Sequence, residues 1–159
     1  MKITFSGVPK NSKITLDLCR RAINFYASLL MSKRLSDSLE LNVKFKNLKN
    51  KNDPNSPLAT CYSLDVDSRP KYFEIEVDKN MGMYRTMTAI AHEMVHMKQE
   101  ATGAMYQYTC NMNKVRYEKD VFDTEDIDYW DSPWEIEAYG RERGLYIRFQ
   151  QHLKELKRK

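Results

Sequence analysis

The sequence is poor in cysteine and has no long hydrophobic run, and each shortage excludes a class of protein. The 3 cysteines are odd in number and widely spaced, so we expect neither a disulfide framework nor a zinc ribbon. This cysteine usage predicts a reducing, intracellular compartment. No run of about 18 apolar residues occurs, so no transmembrane helix is predicted. The N-terminus lacks the apolar segment of a secretory signal, which also favours a cytoplasmic location.

The rest of the composition predicts a folded, soluble chain. Hydrophobic residues make up 42% of the 159 residues and charged residues 30%, as in globular proteins. We expect a single domain over residues 1–159. The net charge of +4 is mild. Lysines cluster at residues 44–51 and at the C-terminus, but no nucleic-acid-binding motif accompanies them, so a solubilising role is favoured over weak nucleic-acid contact.

Hydrophobic periodicity in the first half predicts one helix and a small sheet. Asn11 and Ser12 are candidate N-caps for a helix that continues to about Met31. Apolar and polar residues alternate over 39–46, which predicts a half-buried strand. Two further runs, 59–66 and 72–78, are joined by a short turn and predict a β-hairpin. A short strand over residues 1–5 is also compatible with the pattern.

The second half predicts two long helices separated by a segment without clear periodicity. Methionines and other apolar residues recur every three or four positions between Gly82 and Gly103, which predicts a helix there. The acidic run 118–131 lacks the spacing of a calcium loop, so we interpret it as a solvated loop. Ser132 and Pro133 predict the start of a last helix that ends near residue 156.

The most informative stretch is His-Glu-Met-Val-His at residues 92–96, inside the predicted helix. Residues four apart are neighbours on a helix, so His92 and His96 project from one face and can bind one zinc ion at about 2.0–2.1 Å. Glu93 can reach a water held at an open zinc position and act as a general base. The alternative is a surface helix with two solvated histidines. Apolar neighbours indicate burial, and buried histidines need partners.

A catalytic zinc usually has a third protein ligand, and the last helix supplies the candidates. At 100° per residue, Glu135 falls on the predicted apolar side of that helix, as does Glu142, whereas Glu137 falls on the opposite side. We therefore predict Glu135 as the ligand and Glu142 as a group that supports a ligand. Two alternatives stay open: Glu137 is the ligand, or Glu135 only caps its own helix.

These residues resemble the gluzincin metallopeptidases, in which HExxH is followed by a glutamate from a downstream helix. The segment 135–139 is similar to their E-x-x-A-D/N motif, but Tyr139 replaces the Asp or Asn that supports a zinc histidine. The order of elements also resembles the small SprT-like and minigluzincin proteins. The resemblance implies an α+β fold with a minimal zincin core: an N-terminal helix, a three-stranded and mainly antiparallel sheet, the HExxH helix and a C-terminal ligand helix. It also implies that strand 72–78 is the edge strand that binds an extended substrate.

The sequence thus predicts a zinc metalloendopeptidase with Glu93 as its base and a protein or peptide as its substrate. Tyr129, Tyr139 and Arg141 are candidates for stabilising the oxyanion. Small proteins of this kind are common in bacteriophage genomes, and the composition rich in lysine and asparagine is compatible with that source. The expected location is then the host cytoplasm. Two other functions stay open, namely a DNA-associated protein and a catalytically inactive zincin that acts as a binding module.

Overall fold

The computed structural model describes residues 1–9, 14–49 and 56–158, and these form an α+β fold. The elements of the first half are β1 (Lys2–Ser6), α1 (Leu16–Leu30), α2 (Lys33–Asp37), β2 (Glu40–Lys46), β3 (Ala59–Ser63) and β4 (Tyr72–Asp78). Those of the second half are α3 (Met83–Ala101), β5 (Met105–Gln107), β6 (Lys114–Tyr117), β7 (Asp120–Asp123), a 3₁₀ helix (Tyr129–Asp131) and α4 (Pro133–Leu156). The α+β class predicted from the sequence is confirmed. None of the described helices is long and apolar enough to span a membrane.

The main sheet differs from the expected three-stranded, mainly antiparallel one. It has four strands in the order β1-β2-β4-β3, and only the β3–β4 pair is antiparallel. The difference arises because β1, α1 and β2 form a crossover connection, which returns the chain parallel to β1. The predicted hairpin of β3 and β4 is confirmed. However, β4 lies inside the sheet, so the prediction that it is the edge strand is wrong, and β3 is at that edge.

One face of the main sheet is apolar and forms the core with α1, α3 and α4. Buried and partly exposed residues alternate along β2 and β4, as the period of a half-buried strand predicts. The opposite face carries pairs of unlike charge, in which Lys44 binds Glu74 at 2.7 Å and Lys46 binds Glu76. Part of the lysine cluster at 44–51 is therefore neutralised within the sheet. Lys51 and the predicted N-caps Asn11 and Ser12 lie outside the described residues.

Helix α1 begins later than predicted, at Leu16, because Thr15 caps it by accepting a hydrogen bond from the Leu18 amide at 3.1 Å. Helix α3 is buried on most of its sides between the sheet, α1 and α4, as its all-round apolar sequence indicates. Tyr26 of α1 is fully buried and donates a hydrogen bond to the Met87 carbonyl of α3 at 3.3 Å. Its packing fixes the helix that carries the two motif histidines.

The region after α3 is more ordered than the sequence indicated. Strands β5, β6 and β7 form a second antiparallel sheet, and the 3₁₀ helix follows it. The prediction of a solvated loop over 118–131 is therefore wrong for β7 and for the 3₁₀ helix. Helix α4 begins after Ser132, as predicted, and buries Trp134, Glu135, Ala138, Leu145 and Phe149. The side of α4 that was predicted to be apolar is the side that packs on α3.

Candidate metal centre

The two motif histidines lie side by side on the face of α3 that meets α4. They are four positions apart on the helix, and their Nε2 atoms are 3.1 Å apart. Both imidazoles are largely shielded from solvent, with side-chain exposures of 10% for His92 and 12% for His96. The alternative of two solvated histidines is therefore excluded.

Glu135 completes the group from the first turn of α4. Its Oε2 lies 3.3 Å from His92 Nε2, and its Oε1 lies 3.4 Å from His96 Nε2. The capping-box alternative is wrong, because Ser132 makes no side-chain cap and instead donates its hydroxyl to the Asp128 carbonyl at 3.2 Å. The third histidine, His152, stacks on Phe25 at 4.8 Å between ring centres and takes no part in this group.

Glu137, the other ligand candidate, points away from the histidines. Its carboxylate binds Lys98 at 3.0 Å, Arg141 at 2.8 Å and the Tyr117 hydroxyl at 3.0 Å. Burial opposes ionisation of Glu137, but hydrogen bonds from Gln99, Lys98 and Tyr117 lower its pKa to about 2. Glu137 therefore joins α3, α4 and the second sheet. The ion pair with Glu137 also directs Arg141 away from His92, His96 and Glu135, so the structure does not favour Arg141 as the donor to the oxyanion.

Two hydrogen bonds fix the tautomers of the histidines. His92 Nδ1 lies 2.9 Å from Glu142 Oε2, and His96 Nδ1 lies 2.9 Å from Gln99 Oε1. The Gln99 amide is oriented by its nitrogen, which donates to the Trp134 carbonyl at 2.9 Å and to Glu137 at 3.0 Å. Both Nδ1 atoms therefore face acceptors to which they can donate their protons. In the neutral imidazoles both Nε2 atoms then carry lone pairs that are directed toward one point.

Two lone pairs at this separation are suited to bind one shared cation, and the spacing suits a metal ion. A tetrahedral ion with ligands at about 2.0–2.1 Å holds them about 3.3–3.4 Å apart. His92 Nε2 lies 3.1 Å from His96 Nε2 and 3.3 Å from Glu135 Oε2, and the second carboxylate oxygen, Glu135 Oε1, lies 3.4 Å from His96 Nε2. His92, His96 and Glu135 thus form a group that could hold a metal ion, as the sequence predicted. Three protein ligands leave a fourth position free for a water or a substrate.

The charges around the group also favour a cation. Burial alone would lower the pKa of His92, but hydrogen bonds to Glu135 and Glu142 outweigh it and raise the pKa to about 9. Burial alone would raise the pKa of Glu135, but its bonds to both histidines lower it to about 2. These hydrogen bonds thus favour the protonated form of His92 and the ionised form of Glu135 despite the cost of burial. The negative charge that stabilises the proton on His92 would equally stabilise a metal ion bound between these groups.

Glu93 lies beside the group and faces a cavity of about 770 Å³. It is 6% exposed, and burial raises its pKa to about 7. Its carboxylate accepts no hydrogen bond from another described residue. A carboxylate with these properties is suited to accept a proton near neutral pH and then to release it.

Aromatic side chains form the other wall of the cavity. The Tyr139 ring packs on His92 at 4.6 Å and on Trp130 at 5.0 Å between centres. The Tyr129 hydroxyl donates a hydrogen bond to Glu135 Oε2 at 2.8 Å. Burial raises the pKa of the Tyr129 hydroxyl, which therefore keeps its proton. Tyr129 and Tyr139, both predicted near the ligand helix, are therefore brought to the metal group.

Sequence reasoning missed Gln99, Trp130 and Arg85. Gln99 lies three residues after His96, a helical neighbour position, so its spacing was a usable signal. Trp130 and Arg85, which also line the cavity, have no comparable signal in the sequence. Comparison of the chain with protein-family models, with curated proteins and with solved structures found no match.

Proposed function

We propose that the protein is a zinc-dependent metallopeptidase that hydrolyses peptide bonds. The observation that carries the proposal is that two histidine Nε2 atoms lie 3.1 Å apart and each lies 3.3 or 3.4 Å from one oxygen of the Glu135 carboxylate, with a second carboxylate, Glu93, beside them. Two histidines and a glutamate with one open position are a ligand set typical of hydrolytic zinc enzymes. When bound, zinc acts as a Lewis acid on the carbonyl and lowers the pKa of a water to about 7.

Glu93 is the proposed general base and then the general acid. Its carboxylate takes one proton from the attacking water as the water oxygen bonds to the carbonyl carbon. Glu93 next passes that proton to the nitrogen of the leaving amine, and the C–N bond breaks. The products are a carboxylic acid and an amine, and Glu93 returns to its starting state. Tyr129, whose hydroxyl lies beside Glu135, is the proposed donor to the oxyanion.

Strand β3 is the proposed binding site for the substrate backbone. It pairs with β4 on one side and forms the edge of the sheet on the other. Leu58 and Ala59, at its start, line the cavity that contains His92 and Glu93. An extended peptide can therefore add to the sheet through main-chain hydrogen bonds while its carbonyl reaches the metal group.

The resemblance to gluzincins supports the same function, with one change of residue. In that family an Asp or Asn supports a zinc histidine, at the position where this chain has Tyr139. Here Glu142, three residues later and one helical turn along α4, accepts the hydrogen bond from His92. Glu142 can therefore support the zinc histidine in place of the Asp or Asn of the family, from another position on the same helix.

The proposal is tested by hydrolysis of reduced, unfolded casein. The zinc-loaded protein should cleave it, a chelator should stop cleavage, and added zinc should restore it. His96→Ala should be inactive, whereas His152→Ala, which removes the histidine outside the metal group, should cleave normally. Cleavage that survives both the chelator and His96→Ala would contradict the proposal.

A further inference from the structure

One wall of the cavity that contains His92 and Glu93 is aromatic. Tyr129, Trp130 and Tyr139 pack against each other, with ring centres 5.3 Å apart for Tyr129–Trp130 and 5.0 Å apart for Trp130–Tyr139. Trp130 is nevertheless 64% exposed. A large aromatic side chain that lines a cavity and remains exposed is suited to contact an apolar part of a ligand.

Arg85 is the only Lys or Arg among the described residues that line this cavity. It lies on α3 seven residues before His92, two helical turns and about 10 Å along the axis. Its guanidinium forms no ion pair or hydrogen bond with another described residue. Lys98 and Arg141, by contrast, are both paired with Glu137. Arg85 is thus a cation that faces the cavity and remains available to a ligand.

The direction of β3 relates Arg85 to one side of the substrate. Its start, at Ala59, lines the cavity with Arg85, while its later residues Cys61, Tyr62 and Ser63 line a separate cavity. Antiparallel pairing is the commoner and slightly more stable arrangement for a strand added to an edge. A substrate added in that way has its C-terminal part at the start of β3, in the cavity that Arg85 lines. An extended chain advances about 3.3 Å per residue, so the roughly 10 Å between Arg85 and His92 along α3 corresponds to about three substrate residues.

We propose that Arg85 determines specificity by binding a carboxylate on the C-terminal side of the peptide bond that is cut. The inference rests on the proposed function, since it assumes that a peptide lies on β3 with its carbonyl at the metal group. A guanidinium is suited to this recognition because it can bind both oxygens of a carboxylate. The carboxylate comes from an acidic side chain or from the free C-terminus of the substrate.

The test measures binding of three succinyl hydroxamates, in which the hydroxamate chelates the metal and the peptide part extends into the cavity. Each carries phenylalanine followed by glutamate amide, by glutamine amide or by glutamine with a free carboxylate. Affinities are measured by calorimetry on the zinc-loaded wild type, Arg85→Met, Arg85→Lys and Arg148→Met. Arg148 is an exposed arginine of α4 that does not line the cavity, so it is the matched control.

At least one carboxylate compound should bind the wild type roughly tenfold more tightly than the neutral compound. The ratio should fall to about 1 in Arg85→Met, recover partly in Arg85→Lys and stay unchanged in Arg148→Met. Preference for the glutamate amide identifies a side-chain carboxylate, and preference for the free acid identifies the C-terminus.

Two results would overturn the inference: equal binding of all three compounds to the wild type, or a preference that persists in Arg85→Met. Because binding requires no hydrolysis, a retained preference without turnover would contradict only the proposed function. Turnover without a preference would contradict only the role of Arg85. Failure of every hydroxamate to bind the zinc-loaded protein would overturn both.

Discussion

Replacing Glu135 by glutamine should weaken metal binding while leaving the shape of the site almost unchanged. Glutamine has nearly the same volume as glutamate, and its amide oxygen can still accept the hydrogen bond from Tyr129. The substitution removes the only negative charge among the three donors, which lies 3.3 and 3.4 Å from the two histidine nitrogens. The neutral amide is a poor substitute for a carboxylate ligand to zinc.

The size of the effect follows from linkage between metal binding and stability. Loss of a residue that only supports a ligand costs about 10–100-fold in affinity, so loss of Glu135 itself should cost at least about 100-fold. At saturating zinc, a 100-fold weaker affinity removes about 2.7 kcal/mol of stabilisation. For a chain of this size, 1 kcal/mol corresponds to roughly 2–4 °C. The rise in melting temperature on adding zinc should therefore be about 5–10 °C smaller in Glu135→Gln.

The assay compares thermal melts with and without zinc for the wild type, Glu135→Gln and Glu137→Gln. Glu137 is the matched control, because it lies on the same helix and undergoes the same change but binds Lys98 and Arg141 instead of the histidines. Without zinc, Glu137→Gln should have a lower melting temperature than the wild type, because it loses these ion pairs. It should nevertheless keep most of the rise in melting temperature that zinc causes. Two results would refute the assignment of Glu135 as the ligand. One is a zinc-dependent rise in melting temperature that is as large in Glu135→Gln as in the wild type, and the other is loss of this rise in Glu137→Gln alone.

Two further predictions concern residues that support the site. Gln99→Leu should lower zinc affinity about 10–100-fold, because His96 loses the acceptor that fixes its tautomer. The affinity is measured by competition with a chromophoric chelator, and the exposed control Glu155→Gln on α4 should have no effect on it. At saturating zinc, Tyr129→Phe should keep the metal but hydrolyse casein about 10²–10³-fold more slowly, because the proposed donor to the oxyanion is lost. Tyr72→Phe, equally exposed but on β4, should be as active as the wild type.

The candidate metal centre could be predicted from sequence because the spacing of its residues along two helices determines which of them lie together. Helical spacing places His92 and His96 on one face, and the period of α4 selects Glu135 and Glu142 over Glu137 for the side that meets α3. The same reasoning could have found Gln99, three residues beyond His96. Each of these inferences needs only the geometry of one helix and the expectation that its apolar side is buried.

The sheets were harder to predict because strand order depends on distant pairings. Nothing in the alternation of β2 or β4 indicates that they are parallel neighbours, or that β3 lies at the edge beside the cavity. The second sheet was missed because its strands have only three or four residues each. Its β6–β7 turn also lacks the usual glycine signal, since Glu118 takes the left-handed backbone conformation with φ of 53°. Arg85 was missed because its importance depends on the cavity that these elements enclose.

The most direct test of the central claim is the rate of casein hydrolysis by Glu93→Gln at the same zinc content as the wild type. Glutamine keeps the size of Glu93 but cannot accept a proton from water. The account predicts one zinc per chain in both proteins, an unchanged melting temperature and a rate at least about 10²-fold lower in the variant. A zinc-loaded variant that hydrolyses casein as fast as the wild type would contradict it.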